Sequence, residues 1–435
     1  MRLYHGKLMR RSAPFAIALL TSALAPAAPA QSAPGPGALA EGLQLAERYR
    51  VAAIASRRFT HADLWNAVSG WTAGNGLRSE PIGRSLQGRE IRAVSFGRGS
   101  TTVLLWSQMH GDESTATMAL ADIIRFLAEG RGHPLRERLD SALTVTFIPM
   151  LNPDGAELFQ RENAAGVDVN RDGRELATPE AQALKAVRDR LQPRFGFNLH
   201  DQNARTRVGE AGSQAAIALL APAYNAEREY NEVRSRARLL AATLARLLAK
   251  ELPERLAKYD DTFNPRAFGD LIQQAGTSTV LIESGALPGD PDKQRLRALN
   301  VAMILGALDA IATGRYAEAG PAAYDSLPFN TGGASDLLIR GGRLVLPGQS
   351  PLRADVAINY EDAVARAEGR VREVGDLRQS AAIDTLDATG LFLHPAEAAL
   401  TARGEARWLR IGAPAHFELR RGPDPASELV RRVGP

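Results

Sequence analysis

The chain has 435 residues, 45% hydrophobic and 23% charged, the length and composition of a globular protein of two or three domains. Its net charge of +4 resides in Arg2, Lys7, Arg10 and Arg11. Taking these four from 53 Lys and Arg leaves 49, equal to the 49 Asp and Glu, so the rest is formally neutral and the charge gives no evidence for nucleic acid or an anionic membrane as a partner. It contains no cysteine, which excludes disulfides and thiolate metal sites and leaves any transition metal to His and carboxylate.

Residues 1–30 read as a signal peptide. A basic start precedes an apolar run at 13–24 that is too short to span a bilayer, and Ala28-Pro29-Ala30 is a small-residue cleavage site. The expectation is an exported protein, periplasmic or secreted, with no membrane span once the leader is removed. Residues 31–37 form a Pro/Gly/Ala linker and 39–56 a helical lead-in. Residues 60–73 read as a helix with Thr60 as N-cap, and 82–88 as polar turn. Two apolar runs, 91–96 and 101–106, flank Gly97-Arg98-Gly99-Ser100 and predict a hairpin. A helix over 116–127, a buried strand over 143–150 and a helix over 178–191 with Pro179 in its first turn follow. Further on come a strand over 195–199, a long helix over 228–250, a strand over 279–282 and a last long helix over 293–312.

Strands alternating with helices predict an α/β fold, a mixed and mostly parallel sheet with helices on both faces. Sites in such sheets lie at the carboxyl ends of strands. His110, Asn152, His200 and Glu283 all fall at or just past a predicted strand end, so all four can gather at one sheet edge. Beyond Tyr316 the chain becomes rich in Gly, Pro and Ala and then in short β-like runs. The domains expected are therefore a leader (1–30), a linker and lead-in (31–59), a catalytic domain (60–316), a linker (317–334) and a β-rich accessory domain (335–435).

The chemistry centres on His110-Gly111-Asp112-Glu113, a turn between the strand ending at Trp106 and the following helix. His110 and Glu113 with His200 give two imidazoles and a carboxylate, a three-ligand set that leaves a position open for water and marks catalytic zinc. HxxE alone also fits a simple turn with a core histidine nearby, and Asn152-Pro153-Asp154-Gly155 alone is a turn. Asn170-Arg171 can bind a substrate carboxylate through a bidentate fork. Asp201 is either a partner behind His200 or a helix cap. A carboxylate at the exit of a buried strand is expensive unless used, which makes Glu283 a general-base candidate.

The ordered set HxxE, NPDG, Arg161-Glu162-Asn163, the GVDxNR stretch 166–171, His200 and Glu283 resembles the zinc metallocarboxypeptidases (carboxypeptidase A-like, the funnelins) over roughly residues 60–313. The resemblance implies one zinc per chain on His110, Glu113 and His200, with Glu283 as general base and acid. It implies that Arg161 polarises the scissile carbonyl and that Asn170 and Arg171 hold a C-terminal carboxylate, so the partner is a peptide with a free C-terminus. A family tyrosine on a loop before the catalytic Glu maps nearest to Tyr259, with Tyr224 and Tyr230 as alternatives. Arg266, Phe268 and Asp270 lie in the specificity region and imply acidic, apolar and basic preferences respectively. The same scaffold also serves cell-wall peptidases acting on γ-linked or D-amino acid bonds and N-acyl amino acid deacylases; a non-catalytic binding protein ranks lowest, because the metal and base residues are all present. The C-terminal runs at 335–343, 354–358, 374–375 and 383–390 resemble the small β-sandwich that flanks the barrel in amidohydrolases, without that barrel's metal-bearing part.

Overall fold

The computed structural model describes residues 36–72, 74–210, 212–403 and 406–434. The expected leader at 1–30 lies outside them. In chain order the first part runs α1 (Pro36–Arg48), α2 (His61–Val68), β1 (Leu77–Arg84), β2 (Glu90–Phe96), β3 (Thr101–Ser107), α3 (Thr115–Glu129), α4 (Pro134–Ala142), β4 (Leu143–Ile148), α5 (Pro153–Leu158) and α6 (Pro179–Leu191). It continues with β5 (Phe195–Asp201), β6 (Arg207–Val208), β7 (Ile217–Leu220), α7 (Glu232–Leu248), β8 (Leu256–Lys258), α8 (Phe268–Gln274), β9 (Ser278–Ser284) and α9 (Gln294–Thr313).

Eight of these strands form one sheet in the order β1-β2-β4-β3-β5-β9-β7-β8. The centre, β4-β3-β5-β9, is parallel, β1 and β2 run antiparallel to their neighbours, and β7 is antiparallel to β9 but parallel to β8. The central strands read as continuous apolar runs because helices cover both faces. One face packs on α1, α3, α7 and α9, and the other on α6 and α8. Helix α9 is long and apolar enough to cross a membrane, but 83% of its most apolar window is buried, and it serves as the central core helix.

Three local expectations are corrected. Residues 91–96 and 101–106 are both strands but not a hairpin, since β4 lies between β2 and β3. The intervening Arg98 and Gly99 amides donate to Asp140 and Leu143 rather than across a turn. Turn chemistry is local, and it cannot register a strand that inserts from forty residues later. Residues 82–84 belong to β1, held by pairing with β2 despite their polarity. NPDG opens α5, with Asn152 as N-cap and Pro153 at the first turn.

The remaining strands are β10 (Asn330–Thr331), β11 (Ser335–Arg340), β12 (Arg343–Leu344), β13 (Leu352–Arg353), β14 (Asp355–Asp362), β15 (Ala367–Gly375), β16 (Ala382–Asp387), β17 (Phe392–Pro395), β18 (Leu400–Arg403), β19 (Ala406–Leu409), β20 (Phe417–Arg420) and β21 (Leu429–Val433). Strands β15-β14-β11-β16 make one sheet and β13-β12-β17-β20-β21 another. The two share an apolar core through Ile339, Val356, Ile358, Leu393, Phe417 and Leu419. Strand β10 pairs instead with β6 of the first part.

Candidate metal centre and substrate cavity

The site begins where β3 ends. Gln108 takes φ +50°, a conformation non-glycine residues seldom adopt. Its side-chain amide donates to the Gly111 carbonyl at 2.9 Å, fixing the turn that carries His110 and Glu113. This turn packs on α5 so closely that a Cβ on Gly111 would lie 2.0 Å from the Gly155 carbonyl carbon, and one on Gly155 would lie 2.5 Å from the Asn152 amide nitrogen. Glycine at both positions is therefore a steric requirement.

Asn152 belongs to this framework rather than to the cavity. Fully buried, it accepts from the Gly155 amide at 2.9 Å and donates to the Met109 carbonyl at 3.3 Å and the Arg161 carbonyl at 3.4 Å. Other motif residues are structural as well. Asp154 accepts from Ser85 and Arg89, each at 2.7 Å, which pins the β1–β2 turn. The Asn163 side chain accepts from the Ala165 and Val167 amides, and Asp172 caps the approach to α6 through the Ala177 and Thr178 amides.

His110, Glu113 and His200 converge as expected. Each histidine Nδ1 lies 2.7 Å from a different oxygen of Glu113, and the three offer ligand atoms within 4.8 Å of one another. Among the described residues this is the group that can hold a metal ion. His200 Nε2 is buried with no hydrogen-bond partner. Two imidazole nitrogens and a carboxylate, buried at a strand end and without sulfur, fit zinc.

The electrostatics follow from crowding. Burial opposes charge on Glu113, but the two imidazoles hold it well below the usual carboxylate range. Burial likewise opposes charge on His110, yet Glu113 and Asp168 carry it up to about 9, whereas burial dominates at His200 and lowers it. Parallel pairing sets Glu283 directly beside His200. Burial first, and then the Glu113 charge, push Glu283 well above the ordinary range.

Asp168 is the residue that motif reading passed over. Its Oδ1 lies 3.0 Å from His110 Nε2, while its Oδ2 accepts from Arg161 Nε at 3.1 Å and Nη2 at 2.9 Å. One carboxylate thus orients a metal-group histidine and the arginine together. Arg161 Nη1 also reaches Glu113 at 3.2 Å. The signal was present as the Asp of the GVDxNR stretch, but only folding brings it back across to His110.

A cavity of about 540 Å³ opens beside the metal group and is lined by Arg161, Asn170, Arg171, Tyr259 and Glu283 as well as His110, Glu113 and His200. Asn170 accepts from the Phe268 amide at 2.9 Å, and Arg171 donates to the Asn170 carbonyl at 2.8 Å. Tyr259 follows β8, and Glu283's charge, reinforced by burial, pushes its hydroxyl up to about 12. The two alternative tyrosines lie elsewhere: Tyr230 stacks under Arg234 and Arg238, and Tyr224 donates to Glu229. Of the three specificity candidates Asp270 lines the cavity, while Phe268 is in the core beneath the sheet. Asp201 bonds Thr115 at 2.6 Å and Lys293 at 2.9 Å, so it ties α3 to the start of α9 rather than backing His200. Asn330 and Gly332, from the expected linker, complete the lining.

Residues 74–207 match the zinc carboxypeptidase family model, Peptidase_M14. The match contains the three metal-group residues together with Arg161, Asn170 and Arg171, so the motif resemblance and the family comparison agree on a zinc carboxypeptidase domain. The chain is 29% identical over 132 residues to the "Probable carboxypeptidase 2" of Trichophyton verrucosum, covering 29% of this chain and 25% of that protein. It is 34% identical over 108 residues to human "Carboxypeptidase D", covering 20% of this chain and 8% of that protein. The chain thus spans a quarter or less of the length of these two relatives. Among solved structures, a metallo-carboxypeptidase from Burkholderia cenocepacia aligns with a TM-score of 0.48 at 15% identity, over 59% of this chain and 70% of that one.

Proposed function

We propose that this chain is an exported zinc-dependent carboxypeptidase that removes the C-terminal residue of a peptide. The observation that carries the reading is the single cavity in which the His110-Glu113-His200 group, the Glu283 carboxylate and the Asn170-Arg171 pair all meet. Export rests on the composition of residues 1–30.

Zinc on His110, Glu113 and His200 would supply a Lewis acid and bring the pKa of a bound water down to about 7. The chain's own residues do the rest. Arg171 and Asn170 fix the substrate's terminal carboxylate and so set the scissile bond one residue in. Glu283, whose raised affinity for a proton suits the task, takes one from the attacking water and delivers it to the departing amine. Arg161, aimed by Asp168, faces the carbonyl oxygen as negative charge develops there. Tyr259, in the same cavity as the base, keeps its own proton available for donation.

Asp168→Asn should weaken zinc binding by about 10- to 100-fold, because His110 loses the carboxylate that orients it. Competition with a chromogenic chelator measures this, and an unchanged affinity would detach Asp168 from the metal group.

Asp270 supports a basic preference. Leu220, Pro222, Ala267 and Leu281 give the cavity an apolar wall for a side-chain stem, and Asp270 adds an acid. Burial pushes Asp270 up to about 6. It is therefore neutral below that pH and charged above it, so the preference for terminal Lys over terminal Leu should rise as pH increases through 6. Asp270→Asn should flatten that ratio. The stability consequence has a definite sign: a carboxyl raised in the folded state penalises folding increasingly from about pH 4 to about 6. Asp270→Asn should thus raise the melting temperature at pH 7 but not at pH 3.

The deciding experiment offers the mature protein peptides with free C-termini and the same peptides amidated, with and without a zinc chelator, followed by mass spectrometry. Chelator-sensitive loss of single residues from the free pool alone is expected. Equal trimming of both pools, or of neither, would refute the reading.

A further inference from the structure

A second cavity, of about 370 Å³, adjoins the first and shares Glu113, Arg161, Asp201, Gln202 and Asn203 with it. The carboxylate-anchoring pair lines only the first. The second is bounded by Arg57, Arg58, Phe159 and Lys293 on one side and by residues 361–364, the tip of the β14–β15 hairpin, on the other. The C-terminal β unit therefore shares this cavity with Glu113 of the metal group, and its hairpin forms one wall of it.

That wall is fastened at two points. At the tip, Asp362 Oδ1 accepts from the Val364 amide at 3.2 Å and the Ala365 amide at 3.0 Å, which shapes the turn. Its other oxygen pairs with Arg57 and with Arg58. Both guanidinium groups lie over the Phe159 ring, at 5.2 and 4.7 Å from its centroid. Two residues before Asp362 on β14, the Tyr360 carbonyl accepts from Arg205, just beyond β5, which also donates to buried Asp336 on β11 at 2.9 Å. Asp336 in turn accepts from the Tyr360 amide at 2.6 Å. A hairpin end held by arginines at Asp362 and at Tyr360 is a fixed wall, not a hinged lid.

We propose that this hairpin tip builds the subsite for the part of the substrate N-terminal to the scissile bond and confines the enzyme to short peptides. The inference rests on the carboxypeptidase reading above. A bond held at the metal group divides the substrate, with the residue to be released in the first cavity and the remainder in the second. The second cavity is at the small end of the range of roughly 300–1,000 Å³ for ligand pockets. At about 3.3–3.6 Å per extended residue it takes about two or three residues before the chain meets the hairpin.

The test measures kcat/KM for free-C-terminus peptides ending in Lys, from two to twelve residues, on the full mature chain. Wild type should lose about tenfold or more between three and ten residues. Asp362→Asn keeps the oxygen that caps the turn but removes the charge that holds Arg57 and Arg58, and it should raise the long-to-short ratio several-fold. Ala363→Trp should lower that ratio by thickening the tip. Equal wild-type efficiency at all lengths would overturn the proposal and leave the carboxypeptidase reading standing. Hydrolysis at no length would overturn both. A ratio unmoved by either variant, each with the wild-type circular dichroism spectrum, would also overturn it, and if Asp362→Asn does not fold the wild-type series and Ala363→Trp decide.

Discussion

Glu283→Gln is expected to retain zinc and lose turnover by about 10²- to 10⁴-fold, the span usual for removing a general acid–base. The substitution is nearly isosteric. Glu283 sits on β9 in register with His200 and Ala218, within a strand whose residues are all buried, so the backbone has little room to adjust. Glutamine also removes a proton-accepting carboxylate that burial and Glu113 already disfavour in its charged form. The variant should therefore be no less stable than wild type. Zinc content by elemental analysis and kcat on a free-C-terminus peptide are the two readouts. Full zinc with retained turnover would assign the proton transfer to another group, and loss of zinc would instead make Glu283 part of the metal's surroundings.

Arg171→Ala is expected to act on recognition. A guanidinium gripping a carboxylate in a partly enclosed cavity contributes about 2 to 4 kcal/mol, so kcat/KM should fall roughly 30- to 1,000-fold, mostly through KM. The effect should be confined to peptides with a free C-terminus. Amidated peptides lack the charge that Arg171 would hold, so their already low rates should change little. A matching loss on both pools would remove Arg171 from carboxylate anchoring. Its contact with the Asn170 carbonyl fixes the guanidinium beside the cavity rather than consuming all of its donors. Arg161 is a poor substitute anchor because Asp168 and Glu113 hold it beside the metal group.

Glu283 and Arg171 can both be named from the amino-acid sequence. Apolar runs ending in His200 and Glu283 placed both at strand ends, because a strand buried on two faces leaves an unmistakable apolar stretch before the first polar residue. HxxE followed another such run. Helix α6 was legible from Pro179 in its first turn and Glu180 close behind, and α9 as the last long helix. The alternation of elements fixed the fold class.

Other features were decided only when the chain closed on itself. The β2–β3 pairing failed because strand order depends on which later segment inserts, and β4 does so from across the helices α3 and α4. Asn152 shares its strand-end position with His110 and His200, yet its short amide turns inward to cap α5 and bridge two loops. Tyr259 could not be told from Tyr224 or Tyr230 by spacing, since its place depends on β8 pairing with β7. Asp168 looked like one acid among many and became the shared partner of His110 and Arg161 only through contacts spanning 58 and 7 residues. The hairpin beside the metal group comes from over 150 residues beyond His200, and the arginines that fasten it are ordinary surface charges in the linear chain. Periodicity and composition record how each segment meets water or core, so the sequence by itself determined the elements, the fold class and the metal-binding residue types. Which distant side chains share one low-dielectric space depends on strand order and loop packing, and that was decided by the tertiary structure alone.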